Sequence, residues 1–529
     1  MKPLSSHWAD IAALQIIKNR GDKDCYVLAS GITPSGMIHV GNFREVITVD
    51  LVARALRALG RHVRFIYSWD NFDTFRSVPK NLPDPESFVR YLRQPIARIP
   101  DPWGQAESFA AGRIRLFEEE LKEVAISPEY RYQETLYAAG TYADRIRKAL
   151  ESKEVIRKIL NLHRSSPLAD DWLPTAVYCR QCHRDEMEQQ SYQGEWSYFY
   201  HCASCHHEET FDIRHSDNLK LNWRIDWPMR WAFEGVDFEP GGKDHSSQGG
   251  SFDTGKAIIR EVWGQEPPAY LQYDFVMIKG GAGKMSSSSG DLYTLGEVLD
   301  IYEPQVVRWI FANHRPNHDF AIAFDEDVIK IYEEFDRAEQ LAYQPCDESR
   351  PGKWQLNRRS YELSLTDGKM EEQAPVRAGF RLLCNRIQIC GGDLGRVLKR
   401  YYSESIKSPA DQEKFHARAS RALKWLQTFA PDEFRYTLNS NPVRPDLGDD
   451  QLRALQAIRQ LIHETDLDAI STKDLNELIW EKAVRGADCD APDMFRAVYQ
   501  KLISRNQGPR LPGFLKEIGK ERLLEILSE

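Results

Sequence analysis

No stretch of the 529-residue chain approaches the roughly 18 consecutive apolar residues of a membrane-spanning helix, although 42% of its residues are hydrophobic. The N-terminus, Met1-Lys-Pro-Leu-Ser-Ser-His-Trp-Ala-Asp10, has neither a signal-peptide core nor the arginine-rich character of a transit peptide. A cytoplasmic protein without membrane attachment is therefore expected. A basic excess is missing too: 70 Lys and Arg against 79 Asp and Glu give a formal net charge of -9, which argues against a generic nucleic-acid coat. Phosphate contact needs only a local basic face, however, and Arg396, Lys399 and Arg400, or Arg418, Arg421 and Lys424, are candidates. Internal repeats and low-complexity tracts are absent, and the length leads us to expect three to four ordinary domains.

Cysteine is present in a pattern that excludes a disulfide framework. Of nine cysteines, four form the knuckles Cys179-Arg-Gln-Cys182 and Cys202-Ala-Ser-Cys205, separated by 19 residues, the spacing that wraps four thiolates around Zn²⁺. Residues 189–200, with Trp196, Tyr198 and Phe199, predict a hairpin between them. Four sulfurs leave no open coordination position, so the expected zinc is structural. His183, His201, His206 and His207 crowd the knuckles and are expected to stay solvated, while Cys25, Cys346, Cys384, Cys390 and Cys489 have no ligand spacing.

Two segments far apart in the chain point to nucleotide chemistry. Cys25-Tyr-Val-Leu-Ala29 reads as a buried parallel strand, residues 30–36 as a turn, and Ile47, Leu51, Val52, Ala55, Leu56 and Leu59 as the stripe of a helix closed by Gly60. His39, Gly41 and Asn42, in Pro34-Ser-Gly36-Met-Ile-His39-Val-Gly41-Asn42, then fall at a helix start. Free backbone N–H groups and the helix dipole favour a triphosphate there, and Gly41 permits close approach. The second segment, Lys284-Met285-Ser286-Ser287-Ser288, follows an expected strand over 273–279 and a glycine-rich loop; its lysine can neutralise charge developing on phosphate and its serines offer donors.

These segments resemble the HIGH and KMSKS signatures of the class I aminoacyl-tRNA synthetases. Asn42 stands at the second histidine and Ser287 at the second lysine, and a Lys-Met-Ser-Ser-Ser form is similar to that of the class I lysyl enzymes. The likeness extends through Ser30–Gly36, Gly41–Val46, Phe65–Asp70, Trp223–Trp231, Gly241–His245 and Tyr332–Asp336, and more loosely to Asn506–Arg510. It implies an α/β fold: a Rossmann-type parallel-sheet catalytic domain with an inserted zinc-containing domain and an all-α C-terminal anticodon-binding region. The implied boundaries are a catalytic domain at 1–75 and 220–300, an acceptor-end insertion at 76–219, a helical stem-contact region at 301–345 and the anticodon-binding region at 346–529. Implied substrates are L-lysine, ATP with Mg²⁺, and tRNA(Lys), with a monomer expected.

By the same resemblance, Pro34, Gly36, His39, Gly41, Asn42, Asp244, Lys284, Met285, Ser286, Ser287 and Ser288 fall at the ATP site, with His39, Asn42 and Lys284 catalytic. Gly31, Thr33, Trp223, His245 and Tyr273 fall where lysine binds, and Asp70 is a candidate partner for its α-ammonium. The glutamyl enzymes, as the resemblance has it, place an arginine five residues before the proline; here that position is Ala29, so a glutamate side chain would lose its partner. A lysine side chain instead needs aromatic faces and a polar end for its ammonium. The competing readings are another adenylating enzyme of this fold and a non-catalytic zinc-containing RNA-binding protein.

Overall fold

The strand Cys25–Ile32 (β1) organises the first half of the chain. Tyr26, Leu28, Ala29 and Ser30 are all buried, as residues of a parallel strand covered on both faces must be. On one edge β1 pairs in parallel with His62–Trp69 (β2), which pairs in parallel with Glu129–Tyr132 (β3). On the other edge Leu28 bridges Phe238 and Phe238 bridges Ala269, both in parallel, continued by Gly241–Gly242 against Gln272–Tyr273. Strand order thus runs away from β1 in both directions, and at such a reversal a crevice opens beyond the carboxyl ends of the strands.

This computed structural model describes residues 4–280, 292–440 and 445–528. Two expectations shift in it. The turn assigned to 30–36 starts later, because β1 continues to Ile32. The strand assigned to 273–279 is broken into Gln272–Tyr273 and Val276–Ile278, since the amide of Asp274 turns to the carbonyl of Pro316 and that of Phe275 to Asp319 Oδ1 (both 2.8 Å). Val276–Ile278 pairs instead with Phe320–Ile322, a short strand inside the stretch expected to be helical.

The helix Val40–Ala58 follows β1 and buries Val40, Phe43, Val46, Ile47, Leu51, Val52, Ala55 and Leu56 against β1 and β2. Each such side chain removed from water stabilises the unit by about 1.5–3 kcal/mol before entropy is counted. The chain leaves the helix through Gly60, whose φ of +77° suits glycine. Among the described residues no helix is long and apolar enough to cross a membrane.

Between β3 and the return to the sheet lie the helices Ala143–Glu151 and Lys153–Asn161 and an antiparallel meander of Met187–Gly194, Ser197–Cys202 and Glu208–Asp212. The hairpin expected over 189–200 is its first turn. Tyr198, Tyr200, Cys179, Cys202, Ile156 and Ile159 share one buried cluster there.

Two compact units make up the chain. The first comprises residues 1–299, 304–322 and 338–370; the second comprises 300–303, 323–337 and 371–529. Within the second, every regular element among the described residues is helical. Arg418 is not part of a solvated basic face: it is 1% exposed and donates to Glu303 (2.6 Å) and Asp336 (2.8 and 3.0 Å), so its charge is spent on folding. Arg421 likewise donates to the Tyr302 carbonyl, leaving Lys424 exposed, while Arg396, Lys399 and Arg400 remain at the surface. In the helix Asp449–Glu464 the buried stripe is Ala454, Ile458, Leu461 and Ile462; Leu452 lies off it, 46% exposed.

Candidate active site

A cavity of about 640 Å³ opens at the carboxyl end of β1. The sequence-derived residues Gly31, Thr33, Gly36, His39, Gly41, Asn42, Asp70, Trp223, Asp244, His245 and Tyr273 all line it; Pro34 does not. Lys284, Met285, Ser286, Ser287 and Ser288 lie outside the described residues. His39 caps the helix Val40–Ala58 in an extended conformation (φ -110°, ψ 166°), and its backbone N–H donates to Asn42 Oδ1 at 3.1 Å. Asn42 therefore uses its carbonyl to fix the helix start. The next amide, Val40 N, donates to the carbonyl of Tyr293 at 2.8 Å, which ties the chain just beyond the serine-rich segment to the same helix end.

Deeper in, acidic and aromatic groups converge. Gly31 N donates to Glu45 Oε1 at 3.0 Å, and Tyr273 donates its hydroxyl proton to Glu45 Oε2 at 2.5 Å. A Cβ at Gly31 would meet the Ser68 carbonyl oxygen at 2.6 Å, so only glycine keeps this strand pair and this amide in place. Burial pushes the Glu45 carboxyl up to about 8, against the hydrogen bonds from Tyr273 and Gly31 that favour its charge. Glu239, buried, accepts from Trp231 Nε1 at 2.5 Å and is likewise raised by burial. Trp223, Trp227 and Trp231 recur every four residues along the helix Trp223–Glu234; Trp223 stacks on Trp227 with centroids 5.4 Å apart, and His245 lies 5.3 Å from Trp223. Ala29, Glu45, Asp70, Trp223, Glu239 and His245 enclose a smaller recess of about 60 Å³.

Asp70 borders both cavities, but both its oxygens take hydrogen bonds from Arg230, at 2.6 and 3.3 Å. The Arg230 guanidinium also lies 3.3 Å from Asp226, which accepts from the Tyr137 hydroxyl.

A family model described as tRNA synthetases class I (K) matches residues 6–367. The chain is 43% identical to a lysine–tRNA ligase of Treponema pallidum over 99% of its own length and 98% of that protein. It is 42% identical to one of Borreliella burgdorferi, over 99% of each chain, and 39% identical to one of Pyrococcus horikoshii, over 98% and 99%. The chain belongs to the class I tRNA synthetases.

Several residues of this synthetase's cavity escape a reading of its sequence. Glu45, Trp227 and Arg230 lie inside the resembling blocks Gly41–Val46 and Trp223–Trp231 but receive no role from the resemblance, and Glu239 lies outside any block. Only the four-residue spacing of Trp223, Trp227 and Trp231 hinted that the aromatic wall is wider than one residue. Arg44 is the other omission: its guanidinium donates to the carbonyls of Phe275, Arg315, Pro316 and His318 at 2.6–3.3 Å, fastening the segment that carries Tyr273. Burial lowers its pKa to about 10, which leaves it a cation at neutral pH.

The four knuckle cysteines come together as their spacing requires. Cys179 and Cys205 Sγ are 3.6 Å apart, Cys182 and Cys202 Sγ 3.5 Å, and all four sulfurs lie within 4.8 Å of one another. Tetrahedral zinc with bonds of about 2.3 Å sets its sulfurs roughly 3.8 Å apart, so the donor set fits that ion. His183 and His206, each following a knuckle, take positive φ (64° and 58°) and turn the chain out of it.

Proposed function

We propose that this synthetase is a lysine–tRNA ligase: it activates L-lysine with ATP to lysyl-adenylate, releasing pyrophosphate, and transfers lysine to the 3' end of tRNA(Lys) in translation. The relatives' names support the reaction, and one observation supports the amino acid. The recess is lined by Glu45, a carboxylate whose protein partners are a hydroxyl and an amide. A carboxylate held by neutral donors in an aromatic-walled slot has capacity left for a cation, and an ε-ammonium supplies it. A glutamate side chain would meet the carboxyls of Glu45 and Glu239, neither of which can become a cation for it, and Ala29 offers no counter-ion.

Roles follow from position. Gly31 and Thr33 border the slot, Trp223 and His245 form its wall, and Tyr273 holds Glu45 in the orientation that receives the ammonium. Asp70, oriented by Arg230, keeps lone pairs for the α-ammonium. At the mouth, the helix start with His39, Gly41 and the Asn42 NH₂ receives the ATP phosphates with Mg²⁺. Gly36, Asp244, Met285, Ser286, Ser287 and Ser288 frame the nucleotide, with Pro34 set back in the adjoining turn, and Lys284 offsets charge that develops as pyrophosphate leaves. Cys179, Cys182, Cys202 and Cys205 hold a structural Zn²⁺ in an acceptor-end insertion spanning 76–219. The catalytic domain comprises 1–75 and 220–300, followed by a stem-contact region at 301–345 and an anticodon-binding region at 346–529. The protein acts in the cytoplasm, as a monomer.

The test is charging of tRNA(Lys) transcript with each amino acid in turn, alongside ATP–pyrophosphate exchange with and without that tRNA. Lysine alone should be charged, and Lys284→Ala should lower the adenylation rate by roughly 10²-fold or more with lysine binding retained. Charging with glutamate, or no charging at all by folded protein, would overturn the reading.

A further inference from the structure

Beside the reaction cavity lies a second one, of about 310 Å³, which shares only Met37 and Ile38 with the first. We propose that it receives the unpaired 3'-terminal nucleotide of the tRNA, the base stacking on Trp103 and the polar edge meeting Arg113 and Asp101. This rests on the tRNA-ligase reading and adds to it where the tRNA end is held.

Three observations carry the proposal. Trp103 and Leu116, 38% and 49% exposed, are large apolar side chains left in water at the mouth of the same cavity. One exposed apolar residue needs no explanation, but two converging on a concave site mark a surface meant to be covered.

Arg113 is the second. Its guanidinium lies 4.0 Å over the Trp103 ring and 4.9 Å from Phe109, and its Nε is buried without a hydrogen-bond partner. Among the described residues no carboxylate lies within ion-pair distance of it, whereas the buried Arg230 and Arg308 of the same unit are paired to Asp70 and Asp50. The Asp101 charge acts on it across the cavity but makes no ion pair with it, and a half-buried cation left without a direct partner is costly unless a ligand supplies one.

Asp101 is the third. Its Oδ2 accepts from the amides of Gln105 and Ala106 at 2.8 and 3.2 Å, while its Oδ1 is buried and unpartnered. The cavity therefore offers an aromatic plane, an unpaired cation and an acceptor. A nucleotide matches this set: a base for the indole, a phosphate or ring nitrogen for the guanidinium, an exocyclic amine for the carboxylate.

The phosphates of ATP belong at the helix start in the first cavity, whose volume is twice as large. Met37 and Ile38 border both cavities, so a base seated in the second lies next to the first, where the activated lysine would form.

The deciding measurement compares the Kd of intact tRNA(Lys) with that of the same tRNA lacking its 3'-terminal nucleoside, for the full-length protein and for Trp103→Ala, Trp103→Phe and Arg113→Met, together with the KM for ATP and for lysine. The parent protein should prefer intact tRNA by about 10-fold, the range expected for one stacked base. Trp103→Ala and Arg113→Met should erase most of that preference, Trp103→Phe should keep it, and the KM values for ATP and lysine should stay within about twofold. Trp103 is exposed, so a melting temperature matching the parent is expected. A preference undiminished in Trp103→Ala, or a KM for ATP that rises in step with the tRNA Kd, would overturn the proposal, the latter assigning the cavity to the adenine of ATP. Absence of lysine charging by the parent protein would instead strike at the ligase reading itself.

Discussion

The reaction cavity and the cysteine knuckles are both built from polar groups, yet they store their chemistry differently. The knuckles draw four sulfurs from two short turns joined by one meander, and the sulfurs stand 3.5–3.6 Å apart in pairs. The cavity gathers Gly31, Glu45, Asp70, Trp223, Glu239 and Tyr273 from strands, helices and loops spread over 240 residues of sequence. At the knuckles a proposed Zn²⁺ would tie together two turns otherwise ordered by the cluster around Cys179 and Cys202, so its binding energy would add directly to folding energy. In the cavity, Glu45 and Glu239 are held by neutral donors from a packed sheet and helix. Removing a thiolate should therefore undo structure, and removing a cavity carboxylate should undo recognition.

The largest effect that sharpens this contrast is at the knuckles. Cys182→Ser should drop zinc content from about one ion per chain toward zero and destabilise the insertion by several kcal/mol, since structural Zn²⁺ binding is worth on the order of 10 kcal/mol in small zinc modules. Metal analysis with limited proteolysis of residues 143–221 checks it. A Cys182→Ser variant with the parent's melting curve, or parent protein prepared without chelator that contains no zinc, would break the comparison.

The same contrast explains what could be read from the sequence. The knuckles, β1 and the helix start at His39 were legible because each is local: a fixed cysteine spacing, a short apolar run, a glycine between donors. The C-terminal helices were legible through their apolar periodicity, Leu452, Leu455, Ile458 and Ile462 reading as one face, although Leu452 is 46% exposed and lies off the buried stripe. Glu45 sits one turn beyond the signature on a helix whose other residues are core, and nothing local separates a carboxylate that points into a cavity from one that points to solvent. Asp70 was found by resemblance, but its pairing with Arg230, 160 residues away, could not be. Arg418 was taken for surface charge because basic residues on a helix usually are; its burial depends on Glu303 and Asp336, which only the tertiary fold brings near.

An intermediate effect is expected at Glu45. Glu45→Gln keeps an acceptor for the Gly31 amide and turns its NH₂ toward the Tyr273 oxygen, which can accept, while removing the charge, so the fold should hold while the KM for lysine rises by about 10- to 100-fold, the weight of a charge-assisted hydrogen bond in a desolvated site. The KM for ATP should stay within about twofold. Steady-state kinetics with a melting curve decide it: equal losses for both substrates, or a collapsed melting temperature with lysine binding intact in the residual folded fraction, would make Glu45 a structural residue like those at the knuckles.

The smallest effect is also the most specific, because it turns on a sign. The Glu45 carboxyl, raised by burial from an ordinary value of 4.5 to about 8, holds a proton in the folded, lysine-free protein across a window where the unfolded chain has lost it. Between those two values the folded state binds more protons than the unfolded state, so stability without lysine should fall as pH rises from about 5 to 8. Lysine reverses the sense. Its ammonium needs the ionised carboxylate, so binding below pH 8 must expel the proton, and the Kd for lysine should rise by up to about tenfold for each unit of pH lowered from 8 toward 6. Thermal melts with and without lysine across pH 6 to 8.5 should therefore diverge, the lysine-induced increase in melting temperature growing with pH. In Glu45→Gln, which has no proton to release, that increase should be small and flat. A parent protein whose lysine affinity does not change over this range would show that Glu45 is already ionised without substrate, and that the cavity carries an open negative charge where burial argues for a neutral acid.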